Sequence, residues 1–400
     1  MTAHASNLSR PASFWDELPR PIIGLAPMDG VTDAAFRVMV ARECPPDVTF
    51  TEFTSAGDVC RGPDHLLTSL LYSDVERPIV AQLYGKDPAL FYQAAQMVCA
   101  LGYDGVDINM GCPSRNVASS GSGAGLIRTP GLAQAIIQAV RQGVDDWAAG
   151  RSLREAGVSP KREALLRAMN LNRCGREEVS RWPIPLSVKT RIGFDADMID
   201  TWFPCLLQEH PAAISLHGRT LQQMYRGEAD WTAIGRAAAL ARGSGTLVLG
   251  NGDLVSLGDV VRRLLETGVD GVLVGRGALG EPWFFKAKEA ARSAVVAGES
   301  YVPVTAASLA QRFSAMLEHA RQFERCFGVQ RFPHIRKHLA WYCKGFPHAA
   351  AMRGRLVRAS SSADVLRLVT EYDAGTLNGS DSAVEPPEPL LECGLSAIRP

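Results

Sequence analysis

The sequence contains no CxxC pair, and its cysteine count is odd, nine in 400 residues. That argues against a disulfide framework and against zinc or iron–sulfur clusters, so no metal is expected and a reducing, cytoplasmic setting fits. No run of about eighteen apolar residues occurs, so no helical membrane span is expected. The first twenty residues lack an apolar stretch of the kind that marks a signal peptide. Neither sign of charge is in excess, because 42 Lys and Arg balance 42 Asp and Glu, and the whole chain gives no hint of an anionic partner. No GxGxxG turn follows the first apolar run, since Gly24 lies inside it, which counts against an open dinucleotide-binding sheet. What remains is ordinary globular composition, 46% hydrophobic and 21% charged, in a chain long enough for one large domain and a smaller one.

Short apolar runs then recur, each ending on a small or polar residue. They cover 22–26, 48–52, 79–83, 105–109, 185–189, 213–217, 247–251 and 271–275, with helical stretches such as 88–102 and 257–268 between them. Near-continuous apolar runs at strand–helix spacing suit parallel strands buried on both faces. Eight such units predict an α/β fold, a (β/α)8 barrel followed by a small helical domain, with a doubly wound sheet as the alternative. The expected division is an extension over 1–20, a barrel over 21–300 with an insertion at about 143–182, a helical domain over 301–370 and an acidic tail over 371–400.

A barrel gathers the C-terminal ends of its strands at one mouth, where the active site sits. Gln82, Asn109, Lys189, His217, Asn251 and Arg276 all stand at strand ends. The glycine-bearing stretches LGNGD (249–253) and VGRGALG (274–280) follow strands seven and eight, where such barrels often bind phosphate through backbone N–H groups. Arg276 can add a charge-assisted contact. Lys189 is a second cation whose burial asks for an anionic or electron-rich ligand. Together these point to a phosphorylated cofactor or substrate across the mouth, with Met28 and Gln82 near its far end. Cys112 stands on a stiff corner after strand four, in NMGCP ahead of a Gly/Ser-rich turn. A free cysteine is most often a small buried hydrophobe, but this position makes it a candidate for chemistry.

From about residue 305 the pattern turns helical and basic. Residues 305–370 hold eleven Lys and Arg against three Asp and Glu, with four histidines. In a neutral chain such a local excess is the footprint of phosphate binding. The segment 371–400 is acidic and rich in Pro, Gly and Ser, as flexible tails are.

The motifs APMDGVTDAAFR (26–37), AQLYG (81–85), DINMGCPSRNV (107–117), VKTRIG (188–193), SLHGRT (215–220), GNGD (250–253) and GRGALGEPWFF (275–285) occur in the order found in tRNA-dihydrouridine synthases. Over residues 21–345 the chain resembles that family. The resemblance implies an FMN-bound barrel, NADPH as reductant, and hydride transfer to carbon 6 of a uracil in the tRNA D loop. Cys112 would protonate carbon 5. Pro27, Met28 and Asp29 would line the ring edge, Gln82 its pyrimidine part, and Lys189 and His217 the ring and ribityl chain. Asn251, Gly252, Asp253, Gly275 and Arg276 would hold the ribityl and phosphate end. Asn109 is expected on the target uracil, Arg219 on the uracil or an RNA phosphate, and Arg336 and Lys337 on the RNA. Asp29 together with 217–231 leans toward the subgroup acting on position 16. A monomer without membrane contact is expected. A small-molecule flavin reductase of the dihydropyrimidine-dehydrogenase type, or a non-catalytic tRNA-binding protein, are the alternatives.

Overall fold

The structure, a computed structural model, describes residues 13–301 and 307–376. Eight parallel strands form the staves of a barrel: β1 (Ile22–Leu25), β2 (Thr49–Phe50), β3 (Ile79–Tyr84), β4 (Gly105–Met110), β5 (Leu186–Arg191), β6 (Ala213–His217), β7 (Leu247–Asn251) and β8 (Gly271–Val274). Each pairs with its sequence neighbour from β2 to β8, and β8 returns to β1. The ring closes through Leu25 N donating to Val48 O and Asp47 N to Ile23 O, each at 3.0 Å. The strand expected over 48–52 is short because Gln82 N donates to the Thr51 hydroxyl at 3.0 Å, where a continued ladder would offer a main-chain carbonyl. The stave breaks there and resumes as a bridge at Thr54–Ser55 beside β3.

Side chains alternate along each stave, as strand geometry requires. Ala81, Leu83, Val106, Ile108, Val188 and Leu216 join the apolar layer under the helices. At the lower end of the barrel, Ile22, Phe50, Val80, Leu249 and Leu273 pack around Trp15, which is 1% exposed. Trp15 comes from the segment expected to be an extension. The barrel interior has an open lower end, and a large apolar ring fills it. Toward the mouth the inward positions turn polar, with Gln82, Asp107, Ser187 and Ser215 all buried.

Two boundaries differ from expectation. The helix Pro130–Ala148 runs through the start of the expected insertion, because Val140, Val144 and Trp147 continue its buried face. A second helix, Pro160–Cys174, follows. The helix Ser362–Asp373 carries on past 370, with Glu371 paired to Arg355 and Arg367. The rest of the acidic tail, Cys393 and residues 1–12 lie outside the described residues. The helices Leu309–Phe327, Arg336–Tyr342, Ala349–Leu356 and Ser362–Asp373 share a core that also takes Ala35 and Met39 from the first barrel helix, Ala34–Glu43.

Candidate active site

The backbone of Cys112 is held from two sides. Asn109 Oδ1, at the end of β4, accepts from Cys112 N at 2.8 Å and from Gly111 N at 3.1 Å. Arg191, at the end of β5, donates through Nε to Gly111 O at 2.7 Å and through Nη1 to Thr220 O at 2.9 Å. The Asn109 amide is itself oriented by Gln82 Oε1, which accepts from Nδ2 at 2.9 Å. Gln82 Nε2 donates to Asp107 at 2.7 Å, and Ser187 donates to the other Asp107 oxygen at 2.6 Å. A buried chain of this kind is satisfied at each member and therefore rigid.

Cys112 is 8% exposed but joins none of the apolar clusters. Burial pushes its thiol up to about 11, with Asp29 acting the same way and Lys189 and Arg191 opposing. The sulfur is therefore protonated at neutral pH.

Lys189 and His217 stand on the next two staves. Lys189 Nζ lies 3.4 Å from Asn251 Oδ1, and Asn251 Nδ2 is fixed to Leu273 O at 2.7 Å. Burial, then Arg191, lowers the lysine to about 8. Burial and the surrounding cations Arg191, Lys189, Arg219 and Arg276 push His217 well below its ordinary value, so its ring is neutral. Gly252 has φ +135°, and a Cβ there would lie 2.5 Å from the Ala229 methyl, so the turn after β7 requires glycine.

Two residues expected at the ligand already have partners within the chain. Arg219 is 2% exposed and donates to Arg226 O at 3.2 Å, Gly227 O at 2.6 Å and Asp253 at 2.7 Å. Its guanidinium braces the loop after β6, with Nη1 3.4 Å from His217 Nε2. Asp253 spends one carboxylate oxygen on Arg219 and Ala229 N, and the other on Arg276 Nη2 at 3.0 Å. A carboxylate repels phosphate, so at the ribityl and phosphate end Asp253 suits a hydroxyl, while Arg276, which is half-exposed, suits the anion. Asn109 uses both amide ends within the chain and keeps one N–H.

Pro27 and Met28 are half-buried in the loop after β1, where Met28 O accepts from Val31 N and Thr32 N. Gly275 opens the turn after β8 beside Met28. Asp29 sits at the rim, where desolvation raises its carboxyl and Lys337 of the helical unit opposes. Arg336 donates to Ala359 O at 2.8 Å. Part of the basic excess is neutralised, since Arg312 and Lys344 meet Glu281, Arg325 meets Glu318, and Arg355 meets Glu371.

Sequence reasoning passed over Arg191 and Glu52. Arg191 lies two positions beyond Lys189, so strand alternation was the signal that could have found it. Glu52, just past β2, is pushed up to about 8 by burial and by Asp33 and Asp29. The break in the stave that exposes it to these neighbours left no mark in the sequence.

The family model described as dihydrouridine synthase (Dus) matches residues 24–148 and 164–374. A probable tRNA-dihydrouridine synthase 2 of Bacillus subtilis (strain 168) is 31% identical over 372 residues, covering 92% of this chain and 98% of the relative. A probable tRNA-dihydrouridine synthase of Staphylococcus aureus (strain COL) is 30% identical, covering 90% and 96%. One from Synechocystis sp. (strain ATCC 27184 / PCC 6803 / Kazusa), a probable tRNA-dihydrouridine synthase 1, is 33% identical, covering 84% and 82%.

Proposed function

The chain belongs to the dihydrouridine synthase family, and on that premise we propose that it reduces a uridine in the tRNA D loop to 5,6-dihydrouridine. FMN is the bound flavin, NADPH the reductant and Cys112 the proton donor. The observation that carries this reading is a thiol at the barrel mouth, outside any apolar cluster, whose backbone N–H is held by Asn109 while Arg191 holds the preceding Gly111 carbonyl.

The residues at the mouth fit a flavin phosphate. Lys189, Arg191, Arg219 and Arg276 all act on His217, and the facing carboxylates are Asp107 for Lys189 and Asp253 for Arg219 and Arg276. A buried cationic surplus is costly until an anion joins it. Arg276 with the Gly252 and Gly275 turns would take the phosphate. Asn251 and His217 would take the ribityl chain, and Pro27, Met28, Asp29 and Gln82 would border the ring. When bound, the flavin supplies the hydride that goes to carbon 6.

The protein's own part is then acid catalysis and positioning. As hydride reaches carbon 6, electron density moves to carbon 5, and the S–H bond of Cys112 breaks to place its proton there. The product gains two hydrogens across the former double bond, and the thiolate recovers its proton from solvent. A thiol raised to about 11 holds that proton through the operating range. Lys189, as an ammonium, would stabilise negative charge on the reduced flavin, and a neutral His217 would add no competing charge. Lys337 and Arg336, above the rim, would meet backbone phosphates of the tRNA.

Cys112→Ala tests this. The purified variant should keep its yellow colour and lose dihydrouridine formation by about 10²–10⁴-fold. Mass mapping of tRNA from cells lacking the gene should show one dihydrouridine missing. Full turnover in the variant would remove the acid role.

A further inference from the structure

Asp107 is fully buried and makes no ion pair among the described residues. It stands on β4 between its register partners, Gln82 of β3 and Ser187 of β5. Each gives it one hydrogen bond, Gln82 Nε2 to one carboxylate oxygen at 2.7 Å and Ser187 Oγ to the other at 2.6 Å. Burial raises the carboxyl to about 6, with Ser187, Gln82 and then Lys189 opposing, so at neutral pH both oxygens only accept. A buried charge is costly, and an uncharged asparagine has the same shape. What asparagine lacks is an acceptor on both arms.

That difference orients two amides. Facing an acceptor, Gln82 has to present Nε2 to Asp107 and therefore Oε1 to Asn109. Asn109 answers with Nδ2 at 2.9 Å, which turns its Oδ1 to the backbone N–H groups of Gly111 and Cys112. The far end agrees independently, because a backbone N–H only donates. With an acceptor fixed at one end and donors at the other, the chain of hydrogen bonds can run in one direction only. Of the two N–H bonds of Asn109, one is spent on Gln82 and one remains. We propose that Asp107 is a positioning residue for Cys112, acting through Gln82 and Asn109. It sets the direction of the amide chain, so that Asn109 gives its oxygen to the thiol loop and keeps an N–H donor for a carbonyl oxygen of the target uracil. The second half of this assignment rests on the functional reading above, and the first half does not.

The test is the rate at which iodoacetamide alkylates Cys112, read by peptide mass, in the full chain with FMN in excess. Asp107→Leu leaves Gln82 free to turn, and Gln82→Met removes the link. Each should speed alkylation of Cys112 about tenfold while the other thiols react as before. Combining them should add less than about twofold more, because Asp107 acts through Gln82. A charge acting through space on the thiol would multiply the two effects instead. That result overturns the proposal, as does a native rate in either single variant. The paired exchange Asp107→Asn/Asn109→Asp keeps the net charge and the shape but reverses the middle of the chain. Position 107 then donates to Gln82 Oε1, Gln82 Nε2 donates to position 109, and the loop N–H groups keep their acceptor. Cys112 in this pair should react within about twofold of the native rate, and a rate as fast as that of Gln82→Met overturns the assignment. Should Asp107→Leu not fold, Gln82→Met and the exchanged pair decide by the same criteria. The pair has no N–H at position 109, so its dihydrouridine formation should fall about tenfold or more although the thiol is still held. Native turnover in the pair would remove the donor role. A native chain that forms no dihydrouridine would sink the functional reading and leave the alkylation results standing.

Discussion

Asn109 Oδ1 accepts the Cys112 backbone N–H at 2.8 Å. One side chain at the end of β4 therefore sets where the thiol points, and the Gln82–Asp107 chain below it sets where that side chain points. Asn109→Ala should leave two loop amides and Gln82 Oε1 without their partner, at a cost of about 1–3 kcal/mol. It should also release the Cys112 loop. Alkylation of Cys112 by iodoacetamide, followed by peptide mass, should speed up in the variant while the other thiols react as before. An unchanged rate would mean that Gly111 and Arg191 suffice.

Asp253 is shared by a buried arginine and an exposed one, with side chains 3% and 53% exposed. Asp253→Ala strands the Arg219 charge and should cost about 3–5 kcal/mol by denaturant unfolding. Arg276→Gln should change stability by less than about 0.5 kcal/mol, because the residue is exposed, and should instead weaken FMN retention. Equal destabilisation by the two substitutions would contradict this division.

Trp15→Ala should cost about 3–5 kcal/mol, because it empties the lower end of the barrel, where Trp15 packs against Phe50 at a ring-centroid distance of 6.4 Å. Unfolding of the full chain measures it. A cost near zero would return Trp15 to the role of a surface extension.

His319 is fully buried against Phe36 and His338, and burial lowers it to about 3. Because the folded value lies below the unfolded one, the unfolded chain binds the extra proton between about pH 6.5 and 3. Stability from this group is therefore lost as pH falls through that window, by up to about 1.4 kcal/mol per pH unit. Asp33 and Asp107, each raised to about 6, act in the opposite sense, since their folded forms hold the proton longer. The comparison that isolates the histidine is His319→Phe against the native chain. The variant should show a shallower loss of stability from pH 6 to 4, and parallel curves would refute the assignment.

The sequence by itself determined the staves, because burial on both faces demands apolar runs and each run must end where the chain leaves the sheet. Runs 213–217 and 247–251 coincide with β6 and β7. It also placed Cys112, Lys189, His217 and Asn251 at one mouth, since strand ends of a parallel barrel share a face. Only the tertiary structure decided which polar groups remain available there. Arg219 and Asp253 carry suitable chemistry in a suitable motif, yet they are spent on each other, because ion pairing depends on contacts between loops after different staves. The same reason hid Arg191 under Gly111 and the pairing of Glu281 with Arg312 and Lys344, residues that only folding brings together.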